Sequence, residues 1–119
     1  MPHIHLEYSD NVENLDTQAL LLLLNQGLVE ANYVSFAHEI KSRAICQHEY
    51  LIGLGEPNQA YVHAKVSLLT GRSEAVQQEI SKLMLSLLLE HLPKQSDVSL
   101  QVCVEILEMQ RSTYSKQII

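Results

Sequence analysis

The feature that most limits how this 119-residue chain can fold is a pattern written twice. His3 to Tyr8 alternates His3, His5 and Glu7 with Ile4, Leu6 and Tyr8. A period of two marks a strand with one wet and one dry face. Fifty-eight positions later, Tyr61-Val62-His63-Ala64-Lys65-Val66 repeats the alternation and puts His63 where His5 stood. The same offset carries a helical segment at about Asn14 to Asn32 onto one at about Ser73 to Leu92. It also carries a strand at His38 to Ile45 onto one at Ser96 to Ile106. Residues 1–119 therefore read as one domain of two halves, approximately 2–58 and 60–109, with 110–119 as a C-terminal segment. Coincidence among short amphipathic segments would not ordinarily keep one offset across three elements.

The implied class is α+β, a duplicated β-α-β (βαββαβ) with a four-stranded sheet and two helices on one face. In the second helix Val76, Ile80, Leu83, Met84, Leu87 and Leu88 recur at three- and four-residue spacing. Ser73 is its expected N-cap, and Pro93 stops it. The start of the first helix is less defined: Asp10 with Glu13 resembles a capping signal, while Asn14 and Asp16 compete for the cap. Leu20 to Leu24 make this helix apolar over most of its circumference, and Gly27 inside it should weaken it by ~1 kcal/mol relative to Ala.

Alternation assigns Ile4, Leu6, Ile40, Ser42, Ala44, Val62, Ala64, Val66, Val98, Leu100, Val102 and Val104 to the face under the helices. The other face collects His3, His5, Glu7, Lys41, Arg43, His63, Lys65, Cys103 and Glu105. Such a face is either left to solvent or lines a hydrated cavity between subunits. Cys46 and Cys103, the only cysteines, fall on opposite faces, so they should stay reduced and unpaired.

Eight Lys plus Arg against fourteen Asp plus Glu give a net charge of -6. An acidic chain is a poor partner for nucleic acid or for anionic membranes, both of which need a basic face. The longest apolar run, Ala19 to Leu24, is far short of the ~20 residues that cross a bilayer. Met1-Pro2-His3-Ile4-His5 lacks the basic and apolar regions of a secretory signal. A cytoplasmic protein is the resulting expectation.

Pro2 is the residue with the most pointed chemistry. Initiator methionine is normally removed when a small residue follows, which would leave Pro2 with a free secondary amine. An α-amino group titrates near ~7.7–8.0, and burial or cationic neighbours lower that value toward neutrality. A base so poised is well matched to proton transfer. The strand begins at the next residue, so the nitrogen would be held in place.

Together these features resemble the 5-carboxymethyl-2-hydroxymuconate delta-isomerase family of the tautomerase superfamily, across nearly the whole chain. The matching segments are Pro2-His3-Ile4 with Glu7-Tyr8-Ser9-Asp10-Asn11, then Ile40-Lys41-Ser42-Arg43, Tyr61-Val62-His63 and Gly71-Arg72-Ser73, in order and at matching spacing. The resemblance implies a homotrimer, no cofactor, and Pro2 as catalytic acid/base in a keto-enol isomerisation within homoprotocatechuate breakdown. The implied substrate is a multiply negative enol carboxylate, whose charge delocalises as the proton moves and calls for cations. Arg72, Lys41 and Arg43 are the expected substrate-binding residues. Arg72 immediately precedes the second helix, where its guanidinium and free amides can share a carboxylate. Lys41 and Arg43 lie two apart and point to one face; the competing reading is a salt-bridged face with Glu7, Glu39 and Glu105. The family pattern at this point is Ile-Arg-Ser-Arg, and Lys41 keeps the charge without the two-pronged geometry.

Other chemistries are weaker. His3, His5 and His63 could converge on a metal, but no paired ligand spacing supports this and hydrogen-bonding roles are expected instead. Neither cysteine opens a helix, where a thiol would be activated. Gly53-Leu54-Gly55-Glu56-Pro57-Asn58 reads as a turn, since no Lys-Ser/Thr and no helix follow it. The residues 110–119 show no periodicity and are expected to pack on a neighbouring subunit. A rival from another class is a non-enzymatic regulatory or assembly module with a ferredoxin-like fold, which shares the element order. The two differ in what the N-terminus is for.

Overall fold

The computed structural model describes residues 1–119. Its strands are β1 (His3–Ser9), β2 (Lys41–Gln47), β3 (Gln59–Leu69) and β4 (Ser99–Met109). Helix α1 (Thr17–Glu30) joins β1 to β2, and α2 (Glu74–His91) joins β3 to β4. The sheet order is β2-β1-β3-β4, with β1 and β2 parallel, β3 and β4 parallel, and β1 antiparallel to β3. Each β-α-β unit thus closes on its own neighbouring strand. In the split arrangement of ferredoxin-like folds another strand separates the two. The rival architecture is excluded by this pairing.

The register contains the duplication. Leu6 faces Ala64 across the antiparallel pair, and these are equivalent positions under the 58-residue offset. A pseudo-two-fold axis through that pair relates the halves. The outer strands depart from it: His3 pairs with Lys41, but Tyr61, the counterpart of His3, pairs with Gln101 rather than Ser99. A slip of two residues keeps every side chain on its face, so the inward set survives. Strand β4 runs three residues beyond the expected end at Ile106 and starts three later, at Ser99, 58 positions after the start of β2 at Lys41. Residues 38–40, expected in β2, form a short 3-10 turn and its exit instead.

The core lies between the sheet and the helices: Ile4, Leu6, Val62, Ala64 and Val66 from the strands meet Leu24, Leu28, Ile80, Met84 and Leu88, all essentially inaccessible. The outer strands β2 and β4 bury their inward residues only halfway. Helix α1 is capped by Asp16, whose Oδ1 accepts from the Ala19 amide at 3.1 Å, and α2 by Ser73, whose Oγ accepts from Val76 at 3.2 Å. Pro93 follows the C-cap of α2 as expected. The apolar circumference of α1 is only partly used, since Leu22 stays 58% exposed. Gly27 has a packing role: a side chain there would run into Leu87 of α2. What the helix loses in propensity it recovers as close approach of the two helices. Cys46 and Cys103 are free and on opposite faces, and Gly53 and Gly55 adopt positive φ in the expected turn.

Candidate active site

The sheet order brings four strand ends to one corner. Strand β1 begins there, so Pro2 is there. Parallel β2 also begins there, and the Lys41 amide donates to the Pro2 carbonyl at 3.1 Å. Antiparallel β3 ends there and passes through Thr70 and Gly71 into Arg72. Parallel β4 ends there too, pairing Met109 with Leu69 before Arg111. A cavity of about 430 Å³ opens at this corner, lined by Met1, Glu39, Thr70, Gly71, Arg72 and Arg111, among others.

Lys41, Arg72 and Arg111 are each held by a backbone carbonyl rather than by a carboxylate. Helix α1 ends in a Schellman motif: Asn32, at φ 62°, donates to Val29, and Tyr33 donates to Leu28. This places the Tyr33 carbonyl, which accepts from Arg72 Nη2 at 2.7 Å. Gly71, at φ 124°, makes the turn that only glycine adopts readily, and Arg111 Nη2 donates to the Thr70 carbonyl at 3.1 Å. Lys41 Nζ donates to the Glu39 carbonyl at 2.6 Å. The ion pairs within 4 Å all involve histidine, so Lys41, Arg43, Arg72 and Arg111 are without a carboxylate partner.

Pro2 itself is buried, and the Met1 amine above it is half-buried. Burial is the main cause holding that amine below its ordinary value near 8.0; Glu39 opposes it, and Lys41, Arg72 and Lys116 lower it further. Burial and the nearby Lys116 and Arg43 also push the Lys41 ammonium down, against Glu39. The corner is electropositive on a protein of net charge -6.

Of the four residues expected from sequence, Arg72 alone lines this cavity; Pro2 lies buried behind Met1, which does line it. Lys41 stands beside it, within electrostatic reach of the amine. Arg43 does not line it. Its Nη2 contacts His3 Nδ1 at 3.1 Å on the outer sheet face, where it borders a separate hollow with His5, Glu7 and Lys65. The salt-bridged reading of Lys41 and Arg43 is overturned, because Glu7 and Glu105 flank His63 at 3.7 and 3.3 Å. His3 spends its other nitrogen on the Tyr114 hydroxyl at 3.0 Å.

Arg111 and Lys116 were not anticipated from sequence. They lie in the aperiodic segment 110–119, which returns to its own N-terminus through the His3–Tyr114 contact and a Lys116 Nζ to Met1 Sδ contact of 3.3 Å. The available signal was charge: two of eight basic residues fall in the last nine positions of an acidic chain.

The unsplit, duplicated β-α-β sheet with two helices on one face is a tautomerase-like fold. At the level of fold, a fused 4-OT solved as a symmetric trimer superimposes with a TM-score of 0.69 at 12% identity, covering 97% of this chain and 93% of that one. The family model for 5-carboxymethyl-2-hydroxymuconate isomerase matches residues 2–118, and the chain belongs to that family. It is an isomerase. A crystal structure of a 5-carboxymethyl-2-hydroxymuconate isomerase from Deinococcus radiodurans R1 has a TM-score of 0.89 at 30% identity, covering 98% of this chain and 88% of that one. A 5-carboxymethyl-2-hydroxymuconate delta-isomerase has a TM-score of 0.77 at 22% identity, with 99% and 88% covered. Comparison with curated protein sequences gives no match.

Proposed function

We propose that this isomerase is a cofactor-independent keto-enol tautomerase whose amino-terminal proline is the general acid/base. Its substrate is 5-carboxymethyl-2-hydroxymuconate or a related enol carboxylate from homoprotocatechuate breakdown, in the cytoplasm. The observation that carries this reading is the buried Pro2 under an amine whose proton is disfavoured by burial and by Lys41, Arg72 and Lys116.

Removal of Met1 would expose the Pro2 nitrogen as a neutral secondary amine. It takes the enol hydroxyl proton; the oxygen electron pair closes the carbonyl, the conjugated double bond shifts, and the same nitrogen returns a proton to the far carbon of the diene. Electrons are conserved, so no redox group takes part. Negative charge spreads over the dienolate during transfer; Lys41 stabilises it, and Arg72 binds a substrate carboxylate. The working unit is a homotrimer. Arg43, on the outer sheet face, reaches a site only across a subunit boundary.

The test is a spectrophotometric assay of the processed chain on a panel of enol acids, with light scattering on the same sample. Enol-to-ketone conversion by a particle of about three times the 13.5 kDa chain mass supports the reading. A monomer that converts none of them refutes it.

A further inference from the structure

Half of the basic residues of this chain gather at one corner: Lys41, Arg72, Arg111 and Lys116 are four of eight. Glu39 is the one carboxylate lining the cavity. Two of these cations are guanidinium groups that face the same hollow. Arg72 follows Gly71 in sequence, and Arg111 crosses over it from the end of β4. The Arg111 Nη2 lies 3.8 Å from where a side chain on Gly71 would begin. Arg72 donates Nη2 to the Tyr33 carbonyl, and Arg111 donates Nη2 to the Thr70 carbonyl. A guanidinium has five N–H donors in a fixed fork, so each group keeps most of its fork for a ligand. Arg111 is exposed, and Arg72 is half-buried.

One carboxylate would need one such fork. Two anchored, unpaired forks on either side of a glycine, around about 430 Å³ of space, fit a small molecule carrying two acid groups. We infer that Arg111 is a second carboxylate-binding residue of this site, acting with Arg72 to select enol acids that bear at least two carboxylates over those that bear one. The inference rests on the isomerase site proposed above. It gives the segment 110–119 a binding role, since its Arg111 reaches the cavity while Tyr114, through His3, holds the segment against β1.

The experiment is calorimetric binding of two probes that lack an enol and are not turned over, trans,trans-muconate and sorbate. They share a six-carbon diene chain and differ by one carboxylate. The wild-type chain is expected to bind muconate about tenfold or more tightly than sorbate, the size of one charge-assisted hydrogen bond. Arg111→Gln should abolish that preference by weakening muconate while leaving sorbate unchanged. Equal weakening of both probes, or unchanged muconate affinity, overturns the inference. Should Arg111→Gln fail to fold, Arg111→Lys serves: a reduced muconate preference supports the role and an unaltered one refutes it. Muconate preference lost in the variant, in a wild type that isomerises no enol acid, sinks the isomerase reading and leaves the Arg111 assignment standing. Full isomerase activity with no muconate preference sinks the Arg111 assignment alone.

Discussion

Arg72 illustrates how much a single side chain at this corner is asked to do. Its guanidinium is fixed by the Tyr33 carbonyl, with no carboxylate to neutralise it. A charge-assisted hydrogen bond is worth about 1.5–3 kcal/mol, so Arg72→Ala should lower kcat/KM roughly 10- to 150-fold, mostly through KM. Steady-state kinetics on an enol dicarboxylate check this. Arg72 also lowers the pKa of the terminal amine, after burial and Lys41. The Pro2 nitrogen is one residue further in, so the same cations lie near it once it is freed. A general base works in its neutral form, so kcat/KM should fall as pH drops through the amine pKa. Removing the Arg72 charge relieves the disfavour of the protonated amine, and the limb should move upward in the variant. A pH profile of both proteins reads this; a limb that stays put would detach Arg72 from the base. That Pro2 and Arg72 come to one end of the sheet was legible in the sequence, because a residue before the first strand and a cation at a helix start are local features. Arg111 was not, because it reaches the site through a strand end and an aperiodic turn. Arg43 was placed correctly on its face, but sequence does not tell which hollow a face residue borders.

Among the elements, the helices and the inner strands were read closely. Period-two and period-3.6 patterns report burial directly, and Ser73 and Pro93 bracket α2 by their own chemistry. The outer strands were read less well. Strands β2 and β4 both start three residues later than expected, at Lys41 and Ser99, and the two-residue slip between β3 and β4 is silent in an alternating pattern. Gly27 shows the same limit: propensity predicts a weak point, and only the packed helices show that Leu87 needs the space. Gly27→Val should therefore destabilise the chain by about 1–3 kcal/mol through overpacking, although valine has the better helix propensity. Urea unfolding checks it; a more stable variant would mean that helix propensity governs this position.

At the scale of the whole molecule, duplication and function part company. The pseudo-two-fold axis at Leu6 and Ala64 gives the sheet two equivalent ends. The counterpart of Pro2 is Ala60, inside the chain and without a free amine. The far end carries Asp10, His48 and Tyr50 in hydrogen bonds and no cluster of cations. The central claim is that a free Pro2 nitrogen at the charged end carries the proton. Its most direct measurement is turnover of 5-carboxymethyl-2-hydroxymuconate by two preparations whose intact masses show Met1 removed in one and retained in the other. The account predicts activity in the processed chain alone; equal rates from the methionine-capped chain would contradict it.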